Sequence, residues 1–414
     1  MSALYITNIG CLVGAHPTNT LMLRGQEMQT LPVLENAWIL CEDGKISDFG
    51  TMANQPSQLP NQVITHDAKA GFLFPSWCDS HTHIVFAASR EEEFVMKIDG
   101  KSYEDIAAAG GGILNSARKL QLASEDTLFE SAAQRLADMI KQGTGAVEIK
   151  SGYGLSTESE LKMLRVIRRL KNHFTIPVKA SFLAAHAYPP EYKNNHEGYI
   201  QLIINEMLPK IADEGLADYM DAFCEQGFFS VEDTDRLLQA GAKYGLKPKI
   251  HANQLSVSGG VQIGVKHHAI SVDHLEATDD AVIESLKTSN TIATLLPSCS
   301  FYINIPFANA RGLMNANIPV AVATDYNPGS TPSGNMNLVV SLACIKLRMR
   351  PEEAINAATI NGAAAMELSN EVGSIAKGKT ANLFITRPMP SLAFLPYSFG
   401  QSQIETIVLK GKIS

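Results

Sequence analysis

His81-Thr82-His83 closes an apolar run, Gly71-Phe72-Leu73-Phe74-Pro75-Ser76-Trp77-Cys78-Asp79-Ser80. A strand alternates its side chains between two faces, so imidazoles two residues apart project together from its end. Neutral imidazole nitrogens bind zinc, iron and similar ions, and three or four such donors suffice for one ion. The pair is therefore half of a candidate metal site. Other apolar runs end in residues able to complete it. His186 follows 178–185, His251 follows 246–250, His274 follows 269–273 and Asp325 follows 320–324. The run 146–150 leads into Ser151-Gly152-Tyr153-Gly154, and 219–224 leads into Glu225. Five of the 11 histidines stand at such ends, which scattered surface histidines would not do.

The runs that position these residues number eight: 71–80, 146–150, 178–185, 219–224, 246–250, 269–273, 291–296 and 320–324. Between them lie segments of helical period. Thr157-x-x-Glu160 reads as a capping box ahead of a stripe of Leu161, Leu164, Ile167 and Leu170. Ile200, Ile203, Ile204, Met207, Leu208 and Ile211 repeat the pattern. Strands alternating with helices imply parallel pairing and right-handed crossovers, and eight units suggest a closed (β/α)8 barrel. An open doubly wound sheet is the alternative, but no Gly-x-Gly-x-x-Gly follows a strand to support it. In such a barrel chemistry sits at the C-terminal strand ends, where the histidines fall.

The chain ends read differently. Residues 1–69 and 370–414 carry short alternating runs, among them Trp38-Ile39-Leu40-Cys41 and Thr406-Ile407-Val408-Leu409, and Glu42-Asp43-Gly44-Lys45 reads as a hairpin turn. Neither end holds enough strand for its own core. Together they are expected to build one small β-sandwich domain beside a barrel spanning 70–369.

The 34 basic and 42 acidic residues give a net charge of −8 without a basic run, which argues against a nucleic-acid partner. An anionic substrate then needs a dedicated cation in its pocket. No basic n-region precedes an apolar core in Met1-Ser2-Ala3-Leu4-Tyr5, and no apolar stretch approaches a bilayer's thickness. The six scattered cysteines form no Cys-x-x-Cys pair and suit a reducing compartment. No membrane association and a cytoplasmic location are the expectations.

The set of His81, His83, His251, His274 and Asp325 resembles the metal-dependent amidohydrolase superfamily. Further segments resemble, within it, the imidazolonepropionase family. They are Lys101-Ser102-Tyr103, Ala107-Ala108-Ala109-Gly110-Gly111-Gly112, Glu148 to Gly154, Ala184-Ala185-His186, Ala323 to Ser330 and Gly373 to Lys379. The likeness spans nearly the whole chain. It implies hydrolysis of 4-imidazolone-5-propanoate to N-formimidoyl-L-glutamate, a step of histidine degradation, by a metal-activated water attacking the ring carbonyl. Another cyclic-amide hydrolase or base deaminase of the same superfamily is the alternative reading, and a non-catalytic scaffold relative a more distant one. By resemblance a homodimer is the expected assembly.

The same resemblance implies one zinc or iron ion, divalent or trivalent, held by His81, His83, His251 and Asp325. Asp325 is then the proton shuttle, and His274 orients water or stabilises the oxyanion. Lys150 reads as structural rather than as a carbamylated bridge between two metals. Arg90 is placed against the substrate carboxylate, for which a planar guanidinium suits; the competing reading pairs it with Glu91, Glu92 or Glu93. Tyr103, Tyr153 and His186 line the pocket, with Asn327, Gly329 and Ser330 holding polar groups of the ring or product. Gln254 stands where some relatives carry glutamate; glutamine cannot take a proton, so it can only hydrogen-bond. Gly110-Gly111-Gly112 lacks a following Lys-Ser/Thr and reads as a turn in a covering loop, not a phosphate loop. Phe228-Phe229, Phe301-Tyr302 and Phe307 read as core or interface.

Overall fold

The computed structural model describes residues 3–101, 105 and 111–414. Tyr103 and Gly110, named above, lie outside the described residues. Eight parallel strands follow one another in chain order around a barrel: β1 (Trp77–Thr82), β2 (Thr144–Lys150), β3 (Val178–Ala185), β4 (Tyr219–Cys224), β5 (Lys247–Ala252), β6 (Ser271–His274), β7 (Ile292–Leu295) and β8 (Val320–Val322). Each of the eight expected strands is present. Their faces are almost wholly buried, as both-sided burial demands of a parallel sheet.

Closure comes just past the end of β8. The Asp325 N–H donates to the His81 carbonyl at 3.0 Å, and the His83 N–H donates to the Tyr326 carbonyl at 2.8 Å. Lower on the same seam, the Asp79 carboxylate accepts from the Thr324 amide at 3.0 Å and its hydroxyl at 2.7 Å. The seam that closes the barrel thus runs directly beside His81, His83 and Asp325.

The expected single run 71–80 divides into two strands. Phe72–Pro75 pairs with Ala3–Val13 and Leu383–Thr386, whereas Trp77–Thr82 is the first barrel strand. Pro75 has no N–H to extend a ladder, and at Ser76 the chain passes from one sheet to the other. The terminal sheet therefore extends past the expected division at 69/70. Both chain ends build one hydrogen-bonded sheet of eight strands. Its hairpin at Asp43 (φ 48°) and Gly44 (φ 83°) joins Val33–Glu42 to Lys45–Thr51, the doubly left-handed turn that matches strand twist. Phe74, Trp77 and Phe384 pack with centroids 4.9–6.4 Å apart, the two phenylalanines stacked and the indole tilted against both, and fasten this sheet to the barrel.

Between β1 and β2 the chain carries helices Glu91–Ile98, Ile113–Leu122 and Glu125–Lys141. From the last, Arg135 lies over the Phe86 ring at 3.4 Å and donates to the Ile84 and Phe86 carbonyls, which ties down the segment leaving His83. All six cysteines are free. No helix among the described residues is long and apolar enough to cross a membrane.

Candidate active site

The alternation that makes His81 and His83 neighbours on β1 brings their Nε2 atoms to 3.3 Å. His251, at the end of β5, places its Nε2 3.4 Å from that of His83. Asp325 Oδ1 lies 3.5 Å from the Nε2 of both His81 and His83. Four donors bound tetrahedrally at about 2.0–2.1 Å to one ion lie roughly 3.3–3.4 Å apart. The observed spacings are of that size.

The layer beneath explains why the nitrogens face one another. His81 Nδ1 donates to Asp273 Oδ2 at 2.7 Å, and His251 Nδ1 donates to Asp221 Oδ1 at 3.1 Å. A carboxylate accepts only, so Nδ1 carries the proton in each ring and the Nε2 lone pair points inward. Lone pairs and a carboxylate oxygen at these distances repel one another unless a cation lies among them. The donor set therefore fits a zinc- or iron-type ion, with carboxylates orienting two of the three imidazoles.

Lys150 joins those two carboxylates from below, at 2.7 Å to Asp221 and 3.5 Å to Asp273, and donates to Glu148 at 2.5 Å. Lys249 pairs with the other Glu148 oxygen. The two ammonium groups thus face three carboxylates, all fully buried, and leave one negative charge in excess below the imidazoles. Nearby carboxylates outweigh burial and hold Lys150 above the usual lysine range, so it stays charged. Lys150 fastens the support of the ligands and is not among them.

His274, at the end of β6, is buried, and its ring lies 5.6 Å from that of His81. Its Nδ1 is 3.5 Å from Glu276 Oε1. Burial opposes its charged form, but Glu276, with Asp325 and Asp273 behind it, outweighs burial and holds its pKa above the usual imidazole value. His274 (φ 88°) and Asp325 (φ 55°) both adopt left-handed backbone, rare for residues with side chains and concentrated at functional sites.

A cavity of about 590 Å³ opens over this cluster and is lined by His83, His251, His274 and Asp325 among others. Arg90, Tyr153, His186, Gln254, Asn327, Gly329 and Ser330 all line it. Arg90 donates to Ser116 Oγ at 2.8 Å and lies 5.9 Å from the Tyr153 ring centre. As the competing reading expects, Glu93 Oε2 forms an ion pair with Arg90 Nη1, at 3.9 Å, while its Oε1 accepts from the Gly112 amide at 2.8 Å. The guanidinium still lines the cavity while paired at this longer distance. His186 Nδ1 donates to the Gly152 carbonyl at 3.1 Å, and burial pushes its pKa down to about 3, leaving a neutral ring stacked 5.4 Å from His83. Gln254 donates to Cys299 Sγ at 3.6 Å.

Asn327 and Ser330 are partly engaged within their own loop. Asn327 donates to the Asp325 carbonyl and accepts from the Gly329 and Ser330 amides, while Ser330 Oγ donates to Asp325 Oδ2 at 3.0 Å. They hold the Asp325 carboxylate as well as lining the cavity. At Gly329 an added Cβ would lie 2.5 Å from Arg90 Nη1, so the backbone there lies close under the guanidinium.

Two sequence expectations change here. The helix Thr157–His173 is capped by Ser156, not Thr157, and Glu160 does not reach back to cap it. Its carboxylate instead accepts from the amides of Gly152 (3.1 Å), Gly154 (2.7 Å) and Leu155 (2.9 Å). Three preorganised N–H groups outcompete one cap contact, and Glu160 thereby fixes the loop that carries Tyr153. Phe228, expected in core or interface, forms cavity wall against Phe223, with centroids 4.5 Å apart; Phe229 is core. Glu225 is no ligand, since it holds the loop after β5 through the Leu255 amide and Ser256 hydroxyl.

Asp221, Asp273 and Glu148 were missed as functional residues. Their signal was a carboxylate inside an otherwise apolar strand, where an unpartnered charge is too costly to leave unpaired.

Comparison with known proteins follows the same lines. Residues 72–414 match the profile of the amidohydrolase family. The chain is 57% identical over 410 residues to the imidazolonepropionase of Christiangramia forsetii, covering 99% of each chain. It is 54% identical over 408 residues to that of Flavobacterium johnsoniae, again with 99% of each covered. Among solved structures, a triazine hydrolase variant superposes with a TM-score of 0.76 at 15% identity, covering 99% of this chain and 94% of the other. Guanine deaminase of E. coli gives 0.74 at 15% identity, covering 100% and 98%. Those two likenesses concern the fold.

Proposed function

Because the chain belongs to the amidohydrolase family and, within it, to the imidazolonepropionases, we propose that it hydrolyses 4-imidazolone-5-propanoate to N-formimidoyl-L-glutamate. The observation that carries this reading is a cation, Arg90, lining the same cavity as three of the four inward-facing metal donors, His83, His251 and Asp325. A ring hydrolase acting on a propanoate needs both, whereas a deaminase of a neutral base needs only the donors.

His81, His83, His251 and Asp325 would hold the ion. An ion bound there supplies Lewis acidity, which makes hydroxide available from water near neutral pH. The remaining chemistry belongs to the chain. Arg90 grips the propanoate with two parallel hydrogen bonds and so fixes which ring face meets the donors. Tyr153 and neutral His186 flank the ring, and Gln254 hydrogen-bonds it. His274, whose proton Glu276 helps to retain against burial, donates to the oxygen of the carbonyl as negative charge develops there. Asp325 Oδ2, which accepts from Ser330, is the site through which a proton passes to the departing ring nitrogen. The C–N bond opens, the carbonyl carbon becomes a carboxylate, and the nitrogen is left in the formimidoyl group.

Product analysis tests this against the deaminase reading. Nuclear magnetic resonance of the completed reaction should contain N-formimidoyl-L-glutamate and no ammonia. Ammonia in step with substrate loss would assign the chain to deamination.

A further inference from the structure

Outside the four proposed ligands, one other set of buried metal-ligating side chains stands together among the described residues: His274, Glu276 and Cys299. We propose that His274 Nδ1, a Glu276 carboxylate oxygen and Cys299 Sγ form a second, inhibitory site for a thiophilic divalent cation such as zinc.

One donor atom from each residue lies within 4.8 Å of the others. All three residues are buried, with exposures of 3%, 8% and 0%. Glu276 Oε1 has Ser300 Oγ at 3.0 Å and His274 Nδ1 at 3.5 Å, but its Oε2 is buried with no hydrogen-bond partner. A buried carboxylate oxygen without a donor is costly, and a cation would relieve it. Cys299 Sγ receives a long contact from Gln254 and hydrogen-bonds with Asp325 and Ser330; burial and the charges of Asp325 and Glu276 push its thiol well above the usual range, so a bound cation has to displace that proton. Imidazole, carboxylate and thiolate together select zinc or cadmium over magnesium or calcium, which favour oxygen alone. The cavity lined by Gln254 and His274 supplies the way in.

Occupancy has a defined consequence. When the cation binds, the thiol proton and the proton on His274 Nδ1 leave to solvent. His274 Nδ1 is then taken from Glu276 and the ring is held by the cation beside His81, so it can no longer take up its position over the substrate and turnover falls. That inhibitory consequence rests on the role proposed for His274; the binding itself does not.

The test uses enzyme carrying its one catalytic ion, dialysed against graded free zinc, with metal content and turnover followed together. A parallel titration with cadmium is read by ultraviolet absorbance. The expected result is uptake of a second equivalent, loss of activity in step with it, and a thiolate-to-cadmium charge-transfer band. Cys299→Ser should stop at one equivalent, lack that band and tolerate at least tenfold more zinc. Glu276→Gln should weaken the second equivalent in the same sense and serves should Cys299→Ser fail to fold. Saturation at one equivalent in the wild type, or a second equivalent and band that survive Cys299→Ser, would overturn the site. Because ion count and absorbance do not depend on substrate, they remain readable if the proposed reaction is wrong. A second equivalent without inhibition would overturn the regulatory consequence.

Discussion

The Asp325 amide donates to the carbonyl of His81 at 3.0 Å, so a bond that closes the barrel also sets the fourth metal donor against the first. Strand pairing, not loop packing, fixes their relative position. A ligand on a closed seam cannot drift without opening the wall, which suits a site that must hold its geometry to within tenths of an ångström.

Asp221 and Asp273 act on the metal through His251 and His81. Replacing either carboxylate with asparagine keeps the shape but loses the charge that fixes ring and tautomer. For Asp221→Asn and Asp273→Asn, metal affinity should fall about 10–100-fold, measured by competition with a chelator. Unchanged affinity in both would remove these residues from the support of the site.

Lys150 bridges three buried carboxylates and offsets part of their charge. Lys150→Met leaves them facing one another in a dry interior, and breaking a buried ion pair in this way costs about 3–5 kcal/mol. Urea unfolding should report a loss of that size. A loss under about 1 kcal/mol would mean the network is solvated.

Arg90→Ala removes charge-assisted hydrogen bonds, worth about 1.5–3 kcal/mol. KM should rise roughly 10–100-fold with the metal retained. An unchanged KM would place the substrate carboxylate elsewhere. His274→Ala should instead lower kcat, by about 100-fold, again with full metal content.

How far the site could be read beforehand depended on whether the deciding contact was local. His81 and His83 were legible because alternation along one strand puts them side by side, and the strand ends gathered His186, His251, His274 and Asp325 into one region. Glu160 misled because the pattern Thr157-x-x-Glu160 is local, whereas the amides of Gly152, Gly154 and Leu155 that claim its carboxylate return from the preceding loop. The acidic run after Arg90 obscured its place in the cavity wall for the same reason: the bonds from Gly112 to Glu93 and from Arg90 to Ser116 are tertiary. The passage between sheets at Ser76 was hidden inside a continuous apolar run, since both sheets ask the same composition of it.

Lys379, where the chain returns to the terminal sheet, donates to Ser374 at 2.7 Å, and burial lowers its pKa from 10.5 to about 8. The unfolded chain therefore binds more protons between those two values. By linkage, this lysine makes stability rise with pH from about 8 to 10.5. Below that window its buried charge is a constant penalty. Urea titrations across the range should show the wild type gaining on Lys379→Met as pH rises. A difference independent of pH would mean the ammonium is solvated in the folded state.

The most direct measurement is loss of imidazolone ultraviolet absorbance while metal-stripped protein is reloaded with zinc or iron in fractions of an equivalent. Turnover of 4-imidazolone-5-propanoate should climb in proportion to bound metal and stop climbing at one ion per chain. Full turnover by stripped protein, or none by protein holding one ion, would contradict hydrolysis at His81, His83, His251 and Asp325.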